Sequence, residues 1–192
     1  MYKKILLILG LLFGMSLGTT AQQWAAKTNL IYWATTTPNL GVEVALSKHS
    51  TINISANYNP WTIDSHIKLQ HWFVKPEYRY WFTEKYTRAF VSAHLLGGEF
   101  DFGGFRPPFR LFDALVQRYY KGSIVALGVG VGYQFYISPH WNLELSAGVG
   151  VARLDYDRIS RVASEPKRHD TRWMPIPTEI GLSFVYLFNS RK

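Results

Sequence analysis

The chain has 192 residues, no cysteine, 16% aromatic residues and a formal charge of +8. Without thiols there is neither a disulfide framework nor a thiolate metal site, and the length suits one domain with a substantial interior. The basic residues form no stripe, and no RRM, zinc-finger or helix-turn-helix pattern accompanies them, so the excess charge does not indicate nucleic acid as a partner.

Residues 1–21 read as a secretory signal peptide. Lys3 and Lys4 form its basic start and Ile5 to Leu17 its apolar stretch. Thr19-Thr20-Ala21 supplies small residues for cleavage before Gln22, leaving 22–192 as the mature domain. The apolar run falls short of the roughly 20 residues of a spanning helix. No other stretch is long and apolar enough for one, so a mature chain in a membrane has to be a closed β-barrel. No cysteine follows the apolar run to take a lipid.

After Gln22 the sequence alternates. Ala26 to Ala34 is a first strand of weaker pattern, and Pro38 and Asn39 end it in a turn. Leu40 to Leu46 sets Leu40, Val42, Val44 and Leu46 on one face and Gly41, Glu43 and Ala45 on the other. Thr51 to Tyr58 repeats this with Ile52, Ile54 and Tyr58 against Asn53 and Asn57. Pro60 to Leu69 reads as a loop. The fourth strand, Gln70 to Phe82, carries Trp72, Val74, Tyr78 and Tyr80 opposite His71, Lys75, Glu77 and Arg79. Pro76 predicts a local bulge there.

Ala89 to Glu99 is the fifth strand, with Ser92 and His94 on its polar face. Phe100 to Arg118 reads as a long loop, with a helical turn over Leu111 to Val116. Tyr119 to Ile137 has the cleanest pattern in the chain: Val125, Leu127, Val129, Val131, Tyr133 and Phe135 alternate with Ala126, Gly128, Gly130, Gly132 and Gln134. Glycine packs nothing on a water-facing strand, and it suits a face crowded by other side chains or backbone. Trp141 to Tyr156 follows the same rule, with Glu144, Gly148 and Gly150 opposite Leu143, Leu145 and Val149. Asp157 to Pro177 reads as a charged loop and Thr178 to Phe188 as the eighth strand.

Eight strands with short turns alternating with longer connections predict an all-β fold: an eight-stranded antiparallel up-and-down transmembrane β-barrel, with both termini periplasmic. A secreted soluble barrel would bury the apolar face instead. Three features argue against it: glycine on the polar face, strands longer than soluble norms, and aromatics toward strand ends (Trp33, Tyr58, Trp72, Phe82, Tyr133, Phe135, Phe188) placed as an interfacial girdle.

A narrow eight-stranded barrel leaves little room for a channel, and buried charges must be paired. The inward phase collects Glu43, His71, Lys75, Glu77, Arg79, His94, Glu144 and Glu179. An interior polar network of Glu43, Lys75, Glu77, Arg79, His94 and Glu144 is expected to plug the lumen. Gly128, Gly130, Gly132, Gly148 and Gly150 are expected to clear space opposite Lys75, Glu77 and Arg79. Near the end, Glu179-x-Gly181-x-x-Phe184-x-Tyr186 fits the pattern read by the outer-membrane insertion machinery.

Ser92, His94 and Glu99 are residue types of a nucleophile, base and orienter. With Ser92 and His94 in the inward phase and no oxyanion-hole signal, a structural core is the expectation. The six histidines show no metal-binding spacing, so neither metal nor cofactor is expected. The outer loops carry Arg106, Arg110, Arg118, Arg158, Arg161, Lys167, Arg168 and Arg172, a set suited to phosphates such as those of lipopolysaccharide.

Several stretches together resemble a family of Bacteroidetes-type outer-membrane proteins of unknown function with an OmpA-like eight-stranded barrel. They are Lys27 to Tyr32, Thr36 to Glu43, Asn57 to Trp61, Pro76 to Trp81, His94 to Gly98, Trp141 to Glu144 and Gly148 to Tyr156. The resemblance implies no established activity. Some members occur beside fimbrial components, and others are fused to a peptidoglycan-binding domain, for which no counterpart is present before Lys192. The expected role is structural or at the cell surface, among outer-membrane lipids and an extracellular or fimbrial partner. The alternatives are a lipid A-modifying hydrolase and a narrow pore.

Overall fold

The computed structural model describes residues 23–64, 67–103, 118–160 and 168–188. The expected signal peptide and the helical turn expected over Leu111 to Val116 lie outside these residues. The elements are β1 (Trp24–Asn29), α1 (Leu30–Ala34), β2 (Asn39–Ala45), β3 (Ser50–Asn59), β4 (Thr62–Asp64), β5 (Ile67–Trp81), β6 (Arg88–Gly103), β7 (Arg118–Tyr136), β8 (Trp141–Ser160) and β9 (Arg168–Leu187). Eight of these strands form a closed ring of antiparallel neighbours in the order β1, β2, β3, β5, β6, β7, β8, β9 and back to β1. The short β4 adds to β5 outside this circuit.

Tight turns at 46–49, 82–87 and 137–140 lie at the same end of the ring as Trp24 and Phe188, whose rings stack at 3.7 Å. The longer connections occupy the other end. The wall is uneven in height: β1 has 6 residues and β2 has 7, whereas β8 and β9 have 20 each.

Five sequence expectations change. One is that β6 runs on through Phe100 to Gly103, residues expected to open the long loop. The first strand stops at Asn29, whose side chain accepts the Ile31 N–H and caps a one-turn helix over the apolar Leu30–Ala34. The loop from Pro60 to Leu69 contains β4 and the start of β5. Pro76 causes no bulge. It stays in register with Ile54, and the ladder to β6 passes from Val74–Gly97 to Glu77–His94 without a shift. Proline only removes one donor from that ladder. The charged stretch from Asp157 to Pro177 is mostly strand, with β8 running to Ser160 and β9 starting at Arg168. β9 pairs with β1 only through Ser183–Leu187. Pro175 and Pro177 therefore sit where β9 has outrun β1, and an edge needs no proline N–H.

The register break in β9 falls at Thr178, between Val149–Pro177 and Gly148–Glu179. This extra residue turns both Thr178 and Glu179 toward the interior.

The interior is layered. At the short-turn end, Trp81, Tyr86 and Phe90 close the ring with Ala25, Ala45 and Val185. Tyr86 donates its hydroxyl hydrogen bond to Gln23 O (3.0 Å), and Trp81 donates to Thr51 Oγ1 (3.0 Å). Burial, and then the charge of Glu43, push the Tyr86 phenol well above its ordinary range. Toward the long connections, Ile124, Ala126 and Ala152 form a second apolar layer with Phe73, Leu96 and Phe100. The charged side chains lie between. Outside, the pattern is inverted: Val125, Leu127, Val129 and Val131 of β7 and Val149 and Val151 of β8 all face outward, Leu127 at 65% exposure.

Candidate functional site

Arg79 is the hub of the interior, at 1% exposure. Nη1 donates to Glu144 Oε2 (2.7 Å) and Glu43 Oε2 (3.1 Å), and Nη2 donates to Glu77 Oε2 (2.8 Å). Its guanidinium carbon lies 4.3 Å from the centre of the Phe90 ring, so the network rests on the aromatic floor. A planar fork with several fixed donors can serve carboxylates from several strands at once, which an ammonium does less well.

Lys27 is the second cation, bridging Glu43 (3.2 Å) and Glu144 (3.3 Å). Neutral donors join them: Thr51 donates to Glu43 Oε1 (2.6 Å), and Gln134 and Asn53 donate to the oxygens that Arg79 also holds, Glu144 Oε2 (2.7 Å) and Glu77 Oε2 (3.0 Å). Lys75 pairs with Glu179 (2.7 Å) and, more loosely, with Glu77 (3.7 Å). All eight ring strands contribute a side chain to this layer, with Phe90 and His94 serving for β6.

The structure thus brings Glu43, Lys75, Glu77, Arg79 and Glu144 together. His94 is buried beside them but bonds Thr178 Oγ1 through Nε2 (2.7 Å), not a carboxylate. His71 stands apart, with Nδ1 2.8 Å from Leu69 O and its ring stacked on Phe73. Sequence reasoning missed Lys27, because the first strand alternates weakly. The available signal was Gly41, directly across from Lys27 in the β1–β2 ladder, where a Cβ would come within 2.9 Å of Lys27 Cγ.

The glycines do clear space, but for other groups than Lys75, Glu77 and Arg79. A Cβ at Gly128 would run into His94 and Thr178, one at Gly130 would lie 2.7 Å from Ser92 Oγ, and one at Gly132 would strike the Phe90 ring. At Gly148 it would lie 3.1 Å from His94 Cε1, and at Gly150 it would meet the Leu127 carbonyl. The glycine face of β7 and β8 packs on β6 and β9 side chains.

Of the terminal motif, Glu179 is in the network through Lys75, and a Cβ at Gly181 would collide with Ser146 Oγ. Phe184 faces outward, and Tyr186 is edge-on to Trp141 (5.0 Å). Trp33, Tyr58, Trp72, Phe82, Tyr133, Phe135 and Phe188 are all exposed. Ser92, His94 and Glu99 do not form a relay: Ser92 and His94 are buried inside, whereas Glu99 accepts from Trp72 Nε1 (3.3 Å). Of the expected loop cations, Arg118, Arg158, Arg168 and Arg172 are on strands, Arg158 lying 3.8 Å from Asp170. Arg106, Arg110, Arg161 and Lys167 lie outside the described residues.

Fold and site together define a closed antiparallel ring with charges inside and apolar side chains outside. The chain belongs to the family described as protein of unknown function (DUF3575), which matches residues 6–188. No curated protein and no solved structure matches it.

Proposed function

We propose that this protein is an integral β-barrel of the bacterial outer membrane, with a structural or surface-interaction role and no catalytic machinery. The observation that carries this reading is the inversion of the ring. Glu43, Glu77, Arg79 and Glu144 are almost wholly buried, while a continuous belt of valine, leucine and isoleucine is exposed. In water such a belt would far exceed the few hundred Å² of apolar patch that a monomer usually exposes. In lipid it is the required surface, and the first and last ring strands close on each other through Ser183–Leu187.

The exposed aromatics fit an interfacial girdle above and below the belt. The terminal motif of Glu179, Gly181, Phe184 and Tyr186 fits recognition by the insertion machinery, and the basic residues toward the long connections suit lipopolysaccharide phosphates. A lumen filled by ion pairs leaves the long-connection end as the surface for an extracellular, fimbrial or envelope-assembly partner. Cell fractionation with heat-dependent gel migration tests the membrane reading. It predicts recovery in the outer-membrane fraction, with unboiled protein migrating differently from boiled protein. Recovery in the soluble fraction with identical migration would overturn it.

A further inference from the structure

We propose that the interior binds a divalent transition-metal ion between Glu77, His94 and Glu179. One ligand atom from each lies within 4.8 Å of the other two, and they come from three different strands, β5, β6 and β9. Spacing along the chain could not reveal such a group.

Two further observations point to a ligand there. The first is an uneven distribution of donors on Glu77. Arg79, Asn53 and Lys75 all approach Oε2 (2.8, 3.0 and 3.7 Å), while Oε1 is buried with no partner. His94 Nδ1 and Ser92 Oγ are likewise buried and unpartnered, and Glu77, Ser92 and His94 are each more than nine-tenths buried. A buried carboxylate oxygen without a donor is costly, and so is an unpaired imidazole nitrogen. The second is charge. Among the described residues the network sets Lys27, Lys75 and Arg79 against Glu43, Glu77, Glu144 and Glu179, one carboxylate more than the cations balance.

Two carboxylates and one imidazole are donors for zinc or manganese, and thiolate-preferring ions have nothing to bind here. The glycines of β7 and β8 leave the space: Gly128 and Gly148 lie against His94, and a Cβ at Gly130 would lie 2.7 Å from Ser92 Oγ and 3.4 Å from Glu179 Oε2. A cavity of about 50 Å³, lined by Tyr32 of α1 and by Lys75, Thr178 and Glu179 among others, borders the group at Glu179. Lys75 competes for the same carboxylates, so the ion displaces the ammonium from Glu179 as it binds. The bound ion ties β5, β6 and β9 across the ring.

The test uses the full chain folded in detergent, stripped with chelator, titrated with Zn²⁺ and desalted, with bound metal read by elemental analysis. Folded protein should retain one zinc per chain. His94→Ala should lower zinc affinity by at least about 100-fold, the upper end of what losing even an outer-shell partner costs. Lys75→Met should raise affinity by removing the competitor, which a purely structural lysine would not do. Glu99→Gln, outside the group, should bind as the parent. If His94→Ala does not fold, Glu179→Gln replaces it, with folding checked by circular dichroism. Folded parent protein that retains no zinc would overturn the proposal and leave Glu77 Oε1 to water or a proton. Zinc binding that survives loss of His94 or Glu179 would overturn it equally.

Discussion

The two faces of β7 differ as much as any two regions of this molecule. Its outward face, Val125 to Val131, is bulky, apolar and exposed. Its inward face has been reduced to Ala126, Gly128, Gly130 and Gly132, because Ser92, His94, Phe90 and Thr178 occupy the space in front of it. The lesson is that tolerance to substitution is set by what each face meets: close-packed polar groups on one side, a solvent-like surface on the other.

The largest effect should come from the inward side. Arg79→Ala removes the shared partner of Glu43, Glu77 and Glu144, leaving carboxylates buried with only Lys27 and Lys75 near them. Denaturant unfolding in detergent or vesicles should show a loss of about 3–5 kcal/mol, the range for breaking a buried pair from one side. A loss below about 1 kcal/mol, the range of exposed pairs, would mean that water reaches the network.

Next comes a charge placed on the outside. Leu127→Arg should cost about 2–4 kcal/mol if this position sits at the middle of a bilayer. In a water-soluble ring the same exposed position should accept arginine with almost no change, so this substitution separates the two surroundings. Gly130→Val should follow, at about 1–3 kcal/mol, because the added atoms overfill a packed interior against Ser92 Oγ. Its neighbour Val129→Leu, on the exposed face, should stay within about 0.5 kcal/mol. Equal costs at 129 and 130 would erase the contrast between the faces. Among the substitutions that change a charge, the smallest effect belongs to Asp155→Asn. It loosens an exposed contact with His169 (3.3 Å), and stability should move by less than about 1 kcal/mol.

The alternation of the middle strands was legible because each residue's face follows from parity alone. Glu43, Glu77, Arg79 and Glu144 could therefore be placed on one inner surface before their partners were known. Lys27 could not, since Ala25, Ala26, Lys27 and Thr28 offer no clear hydrophobic contrast. The height of β8 and β9 was hidden for a related reason. Beyond the apolar belt the outward residues become Arg153, Asp155 and Asp157, and two prolines follow in β9, so charge and proline read as a loop. The ladder continues regardless, because neighbouring strands supply its hydrogen bonds and the proline edge needs none. The inward turn of both Thr178 and Glu179 depends on a one-residue bulge, which alternation cannot express.

The central claim is that the exposed face of β7 meets lipid. The chain has no cysteine, so Leu127→Cys can carry a single fluorophore in protein reconstituted into vesicles. Quenching by brominated lipid, with protection from aqueous iodide, is the predicted result. Quenching by iodide with no response to brominated lipid would contradict it.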